Sequence, residues 1–176
     1  MNPKLKWLLA WGSGILLIDQ FTKYLIDRML PVGARIPVLT HFVDLVHYRN
    51  PGAAFSLFAD WESPWREVFF FGISAVALIL LSYYLVKTPL GEKKTLIPLV
   101  MILAGALGNL IDRLIRGNVI DFLFLHWYDK TASFQLFGRP YHIDLSWPAF
   151  NVADSVISVG VVFLLLGSLR SPCSRS

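Results

Sequence analysis

The chain has 176 residues, 55% of them hydrophobic and only 16% charged, a composition too apolar for an ordinary water-soluble domain and expected of a compact integral membrane protein. Its net charge of +4 sits in short segments flanking apolar runs, which signals membrane topology and excludes nucleic acid as the partner the charge serves. The single cysteine, Cys173, excludes an internal disulfide and a thiol-based metal cluster.

Lys4 and Lys6 precede the first apolar stretch, and no small-x-small cleavage site follows, so a retained helix is expected over about residues 7–27. Asp19 and Lys23 interrupt it at i, i+4, where an acid and a base meet on one face. Two readings stand: an internal ion pair that makes both residues tolerable near lipid, or support for a functional site. Residues 28–66 form a long loop in which Ile36, Val38, Phe42, Val43, Val46 and Tyr48 predict short strands. Asn50-Pro51-Gly52 then marks a sharp turn, which a structural role alone explains. The small apolar run 53–58 suits a segment lying against the membrane surface or a substrate groove, and Trp61 and Trp65 suit the interface at the next entry.

A second span, about 67–87, is uniformly apolar. Its Gly72-Ile73-Ser74 lacks the closing glycine and the histidine of a serine hydrolase and reads as packing. Lys87, Lys93 and Lys94 crowd the connection to a third span at about 95–115, where Ala104, Gly105 and Gly108 admit a close neighbouring helix. Asn109, Asp112, Arg113 and Arg116 form one stripe at its end. Asp112 and Arg116 read as a structural pair, while Arg113 is suited to orient a carboxylate or hold a substrate carbonyl. Gly117-Asn118 stops the helix and leaves Asp121 on a loop beyond it. That second loop, 116–146, has no metal-ligand spacing among its histidines, which suit surface or interface roles. The last span is expected over 147–169, with Ser146 as cap and Pro148 in the first turn. Asn151 and Asp154 then share a face about 10 Å below the cap.

By the density of Lys and Arg, both termini and the 87–94 connection are expected to be cytoplasmic, so Asp121 and Asp154 emerge together at the outer face. Two carboxyls brought into contact cannot both ionise cheaply and share a proton. One can then deprotonate water while the other hydrogen-bonds a peptide carbonyl. Two separate, solvated acids at helix ends are the alternative.

The motifs Asn50-Pro51-Gly52-Ala53-Ala54-Phe55, Gly108-Asn109-Leu110-Ile111-Asp112-Arg113, Val119-Ile120-Asp121-Phe122 and Phe150-Asn151-Val152-Ala153-Asp154-Ser155, in that order, resemble the lipoprotein signal peptidase (signal peptidase II) family over nearly the whole chain. The resemblance implies an aspartyl peptidase of the bacterial inner membrane with Asp121 and Asp154 as its dyad, no metal or organic cofactor, and diacylglyceryl-modified prolipoproteins as substrates. Cleavage just before the lipidated cysteine is part of what the resemblance implies. The same resemblance implies that Asp19, Lys23, Asn50, Gly52, Asn109, Arg113 and Asn151 line or brace the site. The expected fold is an all-α membrane domain over 1–176 with four transmembrane helices, a small extracytoplasmic β-rich platform and a surface loop; a monomer in contact with membrane lipid is expected. The segment 129–146 is longer than the family leads one to expect, which bears on loop gating and substrate preference. Two other classes are kept in view. A proton-coupled transporter could relay through Asp19, Asp112 and Asp154, although such acids usually sit near the midplane of repeated halves. A non-catalytic lipoprotein-binding factor would tolerate Asp→Asn at both dyad positions.

Overall fold

The structure, a computed structural model, describes residues 8–52, 65–136 and 139–169 together with Pro3 and Lys6. A π-helical turn, Leu8–Gly12, leads into α1, Ser13–Met29. Strands β1, Arg35–Leu39, and β2, Val43–Asn50, precede helices α2, Arg66–Lys87, and α3, Lys93–Arg116. Strands β3, Val119–Leu136, and β4, Arg139–Phe150, then lead to α4, Val152–Leu169. The expected run 53–58 and Asp60 to Pro64 lie outside the described residues, as do Lys4, Arg170, Cys173 and Arg175.

An all-α fold is therefore not what forms. The four strands make one antiparallel sheet in the order β1-β2-β3-β4, so the molecule is helix plus sheet. The stretch expected as a surface loop is mostly a long β3–β4 hairpin, in which Thr131 pairs with Asp144 and Ser133 with His142. Its sequence alternates Thr131, Ser133 and Gln135 with Ala132, Phe134 and Leu136, the period of a strand. The final helix starts later than the cap at Ser146 predicts. Trp147 and Phe150 are still paired with Leu125 and Leu123, and the register shifts between those two partners. Pro148 lies at that irregularity, where a residue that cannot donate a ladder hydrogen bond is tolerated. α4 consequently has 18 residues, about 27 Å of rise.

The apolar side chains are distributed as in a membrane protein. Ile79 and Val86 of α2 are 67% and 70% exposed, and Leu17 of α1 is 69% exposed, a pattern water would penalise and lipid would not. Among the described residues, Val68–Lys87 and Lys93–Arg116 are long and apolar enough to cross a bilayer, and Val152–Gly167 is a shorter apolar helix. Inside the bundle, Leu85, Leu96, Leu99, Val100 and Leu103 join α2 to α3, with Leu164 of α4 packed against them. A second cluster, Ile26, Ile120 and Phe122 with Val152 against it, fastens the sheet to the ends of α1 and α4. The sheet thus roofs one end of the helices.

The small residues of α3 set the spacing. A Cβ on Gly105 would stand 2.7 Å from the carbonyl oxygen of Ala153, and one on Gly108 would stand 2.6 Å from Oδ2 of Asp19. α3 is therefore in backbone-close contact with α4 at Gly105, as the small residues predict, and at Gly108 it leaves room for the Asp19 carboxylate of α1.

Candidate active site

The site is built where β3, β2 and the first turn of α4 meet the end of α3. Gly117, with φ of 72°, ends α3 in the left-handed conformation, and its N–H donates to the Arg113 carbonyl at 3.1 Å. This stop is the one expected, but Asp121 is not on a loop: it is a residue of β3, paired with Tyr48 of β2. Asp154 is not 10 Å down a helix either. It lies in the first turn of α4, because Asn151 is the cap. The Asp154 N–H donates to Oδ1 of Asn151 at 2.9 Å, and the Asn151 N–H donates to Oδ2 of Asp154 at 3.3 Å. That is a reciprocal capping box with aspartate in place of the usual glutamate.

Two amides tie the acids to one another. Nδ2 of Asn151 donates to Oδ1 of Asp121 at 2.8 Å, while the same residue's backbone caps Asp154. Asn109 of α3 donates from Nδ2 to Oδ1 of Asp154 at 2.8 Å and accepts from Asn151 at 3.3 Å. Asn50, at the end of β2, donates to Oδ2 of Asp121 at 3.0 Å, and its own Oδ1 accepts the Gly52 N–H at 2.9 Å. Asn50 thus closes the turn and holds the Asp121 carboxyl at once. Burial first, and then the neighbouring Asp154, push the Asp121 carboxyl up to about 7, against the pull of the Asn50 and Asn151 hydrogen bonds.

Beneath this layer is a closed ionic cluster. Nζ of Lys23 lies 2.9 Å from both Asp19 and Asp112 and donates to Oδ1 of Asn109 at 2.9 Å. Arg116 pairs with Asp112. Two acids and two bases therefore balance, which is what lets Asp19, Lys23 and Asp112 be fully buried. The expected Asp19–Lys23 and Asp112–Arg116 pairs both form. The cluster also reaches the candidate dyad, since Asp19 accepts the Ala153 N–H at 2.9 Å and Asp112 accepts that of Ile120 at 3.4 Å. Gln20, which sequence reasoning did not single out, joins the cluster by donating to the Gly108 carbonyl at 3.1 Å and to Asp112 at 3.2 Å. An amide one residue from Asp19 in an apolar helix was the available signal.

Arg113 donates to the Gly52 carbonyl at 2.9 Å and to the Asn109 carbonyl at 3.3 Å, tying the turn after β2 to α3. It also lines two clefts. One, about 340 Å³, runs between Pro51, Phe70 and Leu114; the other, about 250 Å³, is walled by Phe70, Ser74, Ala77, Ile157 and Ser158 and reaches Asp154. Ser74 donates to the Phe70 carbonyl at 2.8 Å, the packing role expected of it. His126 is buried rather than at the surface, 3.2 Å from Asp44 and stacked on Phe124. Among the described residues, no group of three or more His, Cys, Asp or Glu is disposed to hold a metal ion.

A helical bundle with an apolar exposed surface, roofed by a sheet, with buried carboxyls at one end and an apolar cleft reaching Asp154, defines a membrane enzyme. Solved structures agree. The chain matches one bacterial membrane enzyme with a TM-score of 0.75 and 29% identity over 97% of this chain and 92% of that one. It matches a second bacterial membrane enzyme with a TM-score of 0.72, 30% identity and 94% coverage of each chain. The model of the family described as signal peptidase (SPase) II matches residues 13–170, and the chain belongs to that family of peptidases. It is 37% identical over 175 residues to a lipoprotein signal peptidase of Syntrophus aciditrophicus, covering 99% of each, and 40% identical over 169 residues to one of Francisella tularensis subsp. novicida, covering 96% of this chain and 94% of the relative. Membership as a peptidase leaves the transporter and the non-catalytic binding factor without support.

Proposed function

We propose that this peptidase removes the signal peptide from diacylglyceryl-modified prolipoproteins, with Asp121 and Asp154 as its catalytic dyad. The observation that carries the reading is the shared Asn151, which bonds both carboxyls within one buried network. A water between the acids gives a proton to the ionised carboxylate as its oxygen attacks the scissile carbonyl carbon; the protonated carboxyl, for which Asp121 is suited, hydrogen-bonds and then protonates the carbonyl oxygen. As the tetrahedral gem-diol collapses, the carboxyl that took the water proton gives it to the nitrogen, the C–N bond breaks, and one hydroxyl returns its proton to the other, ionised carboxylate, so a carboxylic acid and a free amine leave and the dyad again holds one proton. Asn50, Asn109 and Asn151 hold the carboxyl planes, and Lys23 fixes the Asn109 amide so that its N–H₂ faces Asp154. Arg113 and Gly52 shape the wall along which the substrate backbone lies. The cleft reaching Asp154 from the apolar side suits an acyl-bearing, membrane-embedded peptide better than a soluble one.

In this reading α1 and α4 also cross the bilayer, giving four spans in the bacterial inner membrane, with both termini cytoplasmic, the site at the outer face and a monomer as the working unit. The basic 87–94 connection at the opposite end of α3 from the site supports that orientation. The test is cleavage of matched prolipoproteins with and without the diacylglyceryl group, with products weighed by mass spectrometry. The reading requires a product beginning at the lipidated cysteine and no comparable cut in the unmodified chain. Equal cleavage of both, or a cut elsewhere, would refute it.

A further inference from the structure

At the end of α3 far from the acids, the structure holds a further cleft. It has a volume of about 410 Å³ and is lined by Lys93, Lys94, Ile97 and Pro98 from the first turns of α3 and by Phe163, Leu166 and Gly167 from the end of α4. The two lysines are exposed at the boundary of the apolar helix Lys93–Arg116. Ile97, Phe163 and Leu166, on the bilayer side of them, are 40%, 49% and 46% exposed. Gly167 opens the floor: a Cβ there would meet nothing closer than the Lys94 carbonyl at 3.8 Å. The first turn of α3 is the positive end of its macrodipole, and the side chain at its N-cap, Glu92, makes no capping hydrogen bond. Positive charge at the membrane boundary above an apolar cleft inside it matches the two halves of one molecule, an anionic head and an acyl chain.

We propose that this cleft binds one anionic glycerophospholipid, its phosphate against Lys93 and Lys94 and an acyl chain along Ile97 and Phe163. A zwitterionic lipid fills the same apolar space without the net attraction, and a free glycerol phosphate gains the charge without the burial. Neither satisfies the whole site. Lys93 lies about 24 Å along α3 from Asn109 at the standard helical rise, and the cleft uses none of the residues placed at the dyad.

The test is native mass spectrometry of the full chain released from micelles containing phosphatidylglycerol or phosphatidylcholine with identical acyl chains, with glycerol phosphate as a third arm. The expected result is one retained phosphatidylglycerol per chain, preferred over phosphatidylcholine by about tenfold or more, given about 1 kcal/mol for each surface lysine, and no retained glycerol phosphate. Lys93→Gln with Lys94→Gln abolishes the preference, and Gly167→Leu, which fills the floor, reduces retention of both lipids. Equal retention of the two lipids by the native chain, or an undiminished preference in the double lysine variant, overturns the proposal. If Gly167→Leu does not fold, those two comparisons still decide.

Discussion

Asp121 and Asp154 share a hydrogen-bonded amide, so a change at either is felt by both. Asp121→Asn and Asp154→Asn should each lower turnover by at least about 10²-fold, the scale of a lost general acid or base, with normal yield of folded protein. Because burial and Asp154 raise the Asp121 carboxyl to about 7, it holds its proton below that pH. kcat/KM should fall as pH rises through about 7. The same sign governs stability: the native chain keeps this proton to higher pH than the unfolded chain, so stability is lost as pH rises from 3.8 towards 7. Asp121→Asn should flatten that slope in pH-dependent thermal unfolding. Lys23 is a different case, since removing it leaves Asp19 and Asp112 without their shared cation. Lys23→Met should cost about 3–5 kcal/mol in unfolding, and the folded fraction should have lowered turnover through a freed Asn109.

Helix packing at α3 gives the element-scale test. Gly108→Ala places a methyl 2.6 Å from a carboxylate oxygen already held by Lys23, and overpacking of that kind costs about 1–3 kcal/mol. Gly14→Ala meets nothing within 4 Å and should be neutral or slightly stabilising. Equal melting temperatures for the two variants would contradict the packing described. The small residues, the Asp19–Lys23 and Asp112–Arg116 spacings and the Gly117 stop were legible in the sequence because each is a local rule of helix geometry. The start of α4 was not. Ser146 and Pro148 satisfy a local helix signature, but pairing of Trp147 and Phe150 with β3 prevails, and the cap moves to Asn151. The hairpin was missed for a related reason: its polar and charged residues mask an alternation that becomes a ladder only once β3 extends from a strand fixed by the core.

On the scale of the whole molecule, α3 joins two chemically opposite ends, a buried acidic site under the sheet and an exposed basic cleft. The span boundaries put both acids at helix ends and the charge bias put those ends on one face, but neither could show the Asn151 and Asn109 bridges, which need three separated segments to meet. The lone Cys173 makes the orientation testable. A membrane-impermeant thiol reagent should label it only after permeabilisation, whereas Ser133→Cys on the hairpin, in a Cys173→Ser background, should label in intact cells. The reverse pattern would put the site on the wrong face.

The most direct measurement of the central claim is single-turnover cleavage of a diacylglyceryl-modified prolipoprotein by native protein, Asp121→Asn and Asp154→Asn, each matched for folded amount. The account predicts a product from the native chain that begins at the lipidated cysteine, and none from either variant on the same timescale. Near-native cleavage by either variant would contradict the dyad and return that aspartate to a structural role.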